Sequence, residues 1–239
     1  MRRALQVVWF SVRAIYDDLF ILAGIGGLWL VTSVLVPAGV FGLTRLLPTS
    51  MMTILLNLGS FVLVPPCTAA VYQVALQVAR EKQIEFGHFW QGFKAHWKTS
   101  YQVAAILAIS GVIIIFSAFF YLNNSQNMVF LVAGILVLWI LAFWLCVQIY
   151  LWPLVISQEK ASVWAAMKNA GLLTLAFPVF TLVIMAFIVF VTALSVGLPL
   201  LLLLWMPFVS TLSCRAFESS LQQVDVVKQR WRKHSARSD

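Results

Sequence analysis

Charged side chains make up only 10% of this 239-residue chain, against about 25% in a soluble domain. The chain is 62% hydrophobic, with a mean hydropathy of +0.95. So few polar groups cannot cover the apolar surface in water, so a soluble globular fold is excluded and lipid must be the solvent. The charges are also missing from the places where membrane chemistry needs them. An ionisable group in the middle of a span marks a functional site by default, and no long apolar run here carries one centrally. A carboxylate or histidine proton relay is therefore disfavoured. Intramembrane proteolysis is disfavoured too, since it needs a buried Asp pair, a Ser–His pair or a zinc site. His88, His96 and His234 all fall between or beyond the apolar runs. The chain has no P-loop, dinucleotide fingerprint or zinc-protease motif. It reads as a non-enzyme that needs no cofactor or metal.

Cysteine is scarce as well. Cys67, Cys146 and Cys214 match no metal spacing and lie within apolar runs, where they read as small buried residues. No cleavable leader is evident. The first apolar run follows an 18-residue head with Arg2, Arg3, Arg13, Asp17 and Asp18, and it is too long for a signal-peptide core.

The long apolar runs are six, at about 19–43, 52–79, 101–122, 128–157, 171–196 and 198–217. Each approaches the roughly 20 residues that a spanning helix needs. The predicted fold is all-α: a single six-helix transmembrane domain over 1–217, arranged as three hairpins. A basic tail at 218–239 is expected to be surface-lying or disordered. Only Gly197, Leu198 and Pro199 separate the last two runs, so a re-entrant hairpin is the alternative there. In the six-span reading Arg215 falls at the headgroups.

Basic residues fix the orientation. Arg2, Arg3, Arg13, Arg80, Lys82, Lys94, Lys98, Lys160, Lys168, Arg215, Lys228, Arg230, Arg232, Lys233 and Arg237 share one side, and Arg45 stands alone on the other. By the positive-inside rule both termini are cytoplasmic. All eight acidic residues lie on that side too. The net charge of +8 then suits anionic lipid at the plasma membrane, and nothing suggests nucleic acid as a partner.

One pattern recurs before the odd-numbered spans. Trp9 precedes Arg13 by four residues, Trp90 precedes Lys94, and Trp164 precedes Lys168. Four residues apart is one helix face. Trp favours the headgroup level and long cations snorkel to phosphate, so each pair reads as an interfacial anchor. Around the second pair, Phe86, Phe89, Trp90 and Phe93 form an apolar stripe beside Lys94 and Lys98. That predicts an amphipathic helix over 83–100 lying in the interface plane.

Proline supplies the other irregularity. Pro65 and Pro66 sit midway through span two, where they predict a kink, with Thr68 near enough to satisfy a freed carbonyl. Pro153, Pro178 and Pro207 bend spans four, five and six in the same reading. A kinked centre enclosing a small polar cavity near Pro66, Thr68 and Pro153 is one reading, and plain packing geometry is the other. Ala104, Ala108 and Gly111 in span three, with Gly24 and Gly27 in span one, offer close helix contacts.

The run Pro65-Pro66-Cys67-Thr68-Ala69-Ala70-Val71-Tyr72, with Phe89-Trp90-Gln91-Gly92-Phe93-Lys94, resembles the hallmark region of the YesL-like family. These are bacterial membrane proteins of uncharacterised function. Pro153-Leu154-Val155 and Val163-Trp164-Ala165-Ala166-Met167-Lys168-Asn169-Ala170 are similar to the family's second recurring segment. The family usually has Gly-Pro where this chain has Pro65-Pro66. Its members are often encoded beside sugar ABC-transporter components. The resemblance implies an accessory role in carbohydrate uptake, with ABC-permease subunits as partners, and it supplies no catalytic residues. The alternative is a small transporter or channel for a neutral or weakly polar solute.

Overall fold

A computed structural model describes residues 2–45, 51–124, 128–158 and 162–238. Among the described residues the fold is all-α and 92% helical. The helices are α1 (Arg2–Asp17), α2 (Leu19–Leu30), α3 (Val36–Thr44), α4 (Met51–Ser60), α5 (Val64–Ala79), α6 (Phe86–Asn123), α7 (Met128–Ser157), α8 (Val163–Ala176), α9 (Pro178–Gly197) and α10 (Pro199–Ser238). A π-helical stretch, Val31–Leu35, joins α2 to α3. Six stretches are long and apolar enough to cross a membrane: Leu19–Thr44, Met51–Ala79, Phe86–Asn123, Met128–Ser157, Pro178–Gly197 and Leu201–Val224.

Spans one, two and four fall within about a residue of the sequence expectation; three others depart from it. Residues 83–100 do not form a separate helix in the interface plane. From Phe86 they belong to α6, a single helix of 38 residues, about 57 Å long at 1.5 Å per residue. Its far turns therefore project beyond the bilayer core of about 30 Å. Span five begins at Pro178, not at 171, because Phe177 interrupts the helix (φ −128°, ψ 57°) and Pro178 opens the next one. Proline suits a first turn, where its missing N–H would have no partner anyway. The expected tail at 218–239 is a continuation of α10, whose backbone is helical to Ser238. Lys160 and the outer loop residues 125–127 lie outside the described residues.

The proline pair in span two breaks the helix instead of kinking it. α4 stops at Ser60, and the amides of Phe61, Val62 and Val64 reach back three residues, to Leu58, Gly59 and Phe61. α5 then restarts with Pro65 and Pro66 in its first turn. Pro66 leaves the carbonyl four residues earlier, that of Val62, without its helical donor. The Tyr101 hydroxyl of α6 donates to that oxygen at 2.6 Å. Thr68 does not fill this role: its hydroxyl donates to the Val64 carbonyl at 2.9 Å.

The six spans pack as a ring around a triangle. The even spans, represented by α5, α7 and α10, touch one another. Each odd span sits between two of them: α2 between α5 and α10, α6 between α5 and α7, α9 between α7 and α10. The three hairpins are thus related by a pseudo-three-fold arrangement. Each hairpin has one clamp of the same kind. The Trp29 indole donates to Thr68 at 3.0 Å, Trp144 to Ser110 at 3.0 Å, and Trp205 to Thr192 at 2.9 Å. Each accepting hydroxyl donates to the carbonyl four residues before it, on Val64, Ile106 and Ile188. The indole N–H is thereby satisfied in lipid, where an unpaired donor is costly, at about 0.6 kcal/mol per bond.

Two further contacts tie the hairpins together. The Tyr150 hydroxyl and Thr181 Oγ1 are 2.8 Å apart, and the Tyr72 ring stacks on Trp152 at 5.7 Å. The core lies at the end of the bundle near residues 80–85. Val71, Val74, Tyr150, Leu151, Leu212 and Phe217 are among its most buried side chains. At the opposite end the hairpins separate, and among the described residues α4 packs on α3 alone apart from marginal contacts.

Of the glycines, Gly26 sits at the tightest helix contact. A Cβ there would collide with the Leu203 carbonyl oxygen and come within 2.9 Å of Pro207 Cγ. Pro207, four residues on, cannot donate to that carbonyl, so the bare Cα of Gly26 lies against an oxygen the helix leaves free. The small-residue contact of span one is therefore Gly26 more than Gly27, which meets Leu203 Cδ1 only at 3.9 Å. In span three, a Cβ on Gly111 would come within 3.3 Å of the Trp144 ring.

Candidate functional site

The three Trp–basic pairs share one end of the bundle. Trp9 with Arg13 lies on α1, Trp90 with Lys94 on α6, and Trp164 with Lys168 on α8, and all six side chains are exposed. The segments carrying them occupy equivalent places around the ring. α1 packs on α10, the first turns of α6 pack on α5, and α8 packs on α7. Each therefore leans on the second helix of the hairpin before its own, cyclically. The common sequence is longer than W-x-x-x-[KR]. Two residues after each Trp stands a small buried residue: Ser11, Gly92 and Ala166. At Gly92 a Cβ would sit 2.6 Å from Gln73 Cβ and 3.3 Å from Ala70 Cα. The small residue brings the segment onto its neighbour and turns Trp and the cation outward. The reading from sequence missed this position, although its signal is there in W-x-[SGA]-x-[KR].

The apolar stripe around Trp90 is divided between two environments. Phe89 is buried and Phe93 packs against the core, whereas Phe86 and Trp90 are exposed. The Trp90 ring meets both Phe89 and Phe93 edge-on, at 5.5 and 5.9 Å. Lys98, like Lys94, is exposed. His88 caps the start of α6: its Nδ1 accepts from the Glu85 backbone N–H at 3.1 Å, while the Glu85 side chain takes the reciprocal bond.

A charge cluster absent from the sequence reading joins spans two and six at the same end. Arg80 Nε donates to Glu218 Oε1 at 2.7 Å, across 138 residues of chain. The helix ends in a Schellman turn, with Glu81 N–H bonded to Val78 and Lys82 N–H to Gln77. Glu81 occupies the left-handed position (φ 56°), which glycine normally fills and where another residue costs about 1–2 kcal/mol. On α10, three residues before Glu218, Arg215 has its Nε buried without a hydrogen-bond partner among the described residues. Arg215 is thus part of the bundle as well as of its interface.

The residues expected around a central cavity are packed. Pro66 and Pro153 are buried, Pro65 and Thr68 half-buried. Thr68 accepts from Trp29, whose ring touches that of Trp205 at 5.5 Å. Trp152, next to Pro153, is held against Tyr72. Close by on α10, Thr211 is buried with a hydroxyl that has no partner among the described residues.

No curated protein and no solved structure matches the chain. Residues 22–118, which hold the first hairpin, the Pro65–Pro66 break and the Trp90–Lys94 pair, match the family described as "Protein of unknown function, DUF624".

Proposed function

We propose that this is a YesL-like, non-enzymatic protein of the bacterial plasma membrane, with both termini cytoplasmic, that assists or regulates a carbohydrate ABC transport system. The observation that carries the reading is the outward turn of three Trp–basic pairs at one end of the ring. Exposed indoles beside cations suit headgroups of anionic lipid, and they suit a partner docked at the same level. The isolation of Arg45 from the other cations, at the opposite end, supports that orientation by the positive-inside rule. The buried and half-buried Trp, Tyr and Ser/Thr side chains mostly bind one another or helix carbonyls, an arrangement that holds helices together and leaves little to polarise a substrate.

The test is purification of the tagged full-length protein from its host in mild detergent, with mass spectrometry of what accompanies it. Sugar ABC-permease subunits in stoichiometric amount are expected, and Lys94→Glu with Lys98→Glu should deplete them. Recovery of the protein alone, or unchanged recovery and membrane localisation in the variant, overturns the reading. The unpartnered hydroxyl of Thr211 favours a second reading, a path for a small neutral solute. It requires a variant keeping only Cys67 to react with a polar thiol reagent added from outside.

A further inference from the structure

The far ends of α3 and α4 enclose a cleft of about 850 Å³, lined by Pro37, Phe41, Arg45, Asn57, Leu58 and Phe61 among others. Its base is held by Asn57, whose amide donates to Thr44 Oγ1 at 2.9 Å and to the Thr53 carbonyl at 2.8 Å. From Arg45 back to Pro37 the cleft follows α3 for about 12 Å at 1.5 Å per residue. That is close to the depth of one bilayer leaflet, about half of 30 Å. The walls are apolar and aromatic, and the mouth carries a cation. The Arg45 guanidinium lies 4.7 Å from the Phe41 ring centroid, over its face, and Arg45 is exposed.

The chain offers Arg45 no counter-charge. Its acidic residues are Asp17, Asp18, Glu81, Glu85, Glu159, Glu218, Asp225 and Asp239. With six spans, every one of them falls at the opposite end of the bundle or beyond it. The anion that Arg45 faces must therefore come from outside the chain. We propose that the α3–α4 cleft is a binding site for one anionic phospholipid, with an acyl chain along Pro37, Phe41, Leu58 and Phe61 and the phosphate on Arg45. Charge and depth agree on this occupant: a cation at the interface, and an apolar channel of leaflet length below it.

The experiment is native mass spectrometry of the full-length protein in detergent, titrated with phosphatidylglycerol or phosphatidylcholine. Wild type should retain one phosphatidylglycerol with roughly fivefold preference over phosphatidylcholine, the scale of one basic residue at a membrane surface. Arg45→Gln should remove that preference, and Phe41→Ala should weaken binding of both lipids. Lys82→Gln, an exposed cation at the opposite end, should leave this site unchanged. Thermal stability of each variant in detergent separates loss of the site from loss of the fold. Retention unaffected by Arg45→Gln in a folded variant overturns the proposal. Full displacement by glycerol phosphate, which has no chain, overturns it too, because the cleft would then play no part.

Discussion

Gly26→Ala tests the ring at its tightest point. Real Cβ contacts essentially never fall under 3.0 Å, and the added methyl would meet both the Leu203 carbonyl oxygen and, at 2.9 Å, Pro207 Cγ. Backbone oxygen and a proline ring cannot swing aside, so α2 must back away from α10 by about 1 Å, an overpacking cost of about 1–3 kcal/mol. That movement also loosens the Trp29–Trp205 contact at 5.5 Å and the Trp29–Thr68 bond at 3.0 Å, the latter worth about 0.6 kcal/mol. The expected total is about 2–4 kcal/mol. Gly27→Ala, one residue along, meets only Leu203 Cδ1 at 3.9 Å and should cost under about 1 kcal/mol. Gly39→Ala meets nothing within 4 Å and should be neutral or slightly stabilising in the helix. The assay is equilibrium unfolding in mixed micelles, followed by tryptophan fluorescence, because Trp29 and Trp205 report on the contact itself. A Gly26→Ala protein as stable as wild type, or a Gly27→Ala protein that is the weaker of the two, would refute the packing described here.

Two other expectations concern the break in span two and the lead-in segments. Tyr101→Phe should cost about 1–2 kcal/mol, because the Val62 carbonyl loses its donor in an apolar setting; in a Pro66→Ala background, where residue 66 regains its own N–H, that cost should shrink. Equal costs in the two backgrounds would show that Tyr101 does not serve the proline break. Gly92→Leu and Ala166→Leu should each lower stability by about 2 kcal/mol or more by lifting a lead-in segment off its neighbour, whereas Gly171→Leu, with nothing within 4 Å of its Cβ position, should not, as measured by the same unfolding series.

The helices were legible in sequence because the lipid requirement is written in composition. Spans one, two and four need only a run of apolar residues and a polar stop, and their limits agree within about a residue. Boundaries failed where helix continues through polar residues. Between Phe86 and Tyr101 hydropathy drops, yet α6 does not end, because packing on α5 supports it there. Pro178 showed as an irregularity, but a proline inside a helix and one opening a helix look alike until Phe177 is seen to leave the helical region. Of the candidate site, Trp9, Trp90 and Trp164 were visible through their spacing to a cation. The Arg80–Glu218 pair was not, since a contact across 138 residues leaves no periodic trace. Nor was Gly26, whose contact depends on where Pro207 frees a carbonyl on another helix, whereas Gly24 does meet a neighbour as expected, a Cβ there falling 2.5 Å from the Phe86 ring of α6.

The cyclic packing of the lead-in segments has a consequence for the order of synthesis. α6 finds α5, and α8 finds α7, in chain already made. α1 rests on α10, which leaves the ribosome much later. At about 5–20 residues per second, some 200 residues separate their appearances by roughly 10–40 s. During that interval the face of α1 bearing Ala4, Ser11 and Ile15 has no home within the chain, and an interfacial helix of this kind waits in the headgroups. Of the three lead-in segments, the first to be translated is thus the last to dock, and its arrival closes the ring.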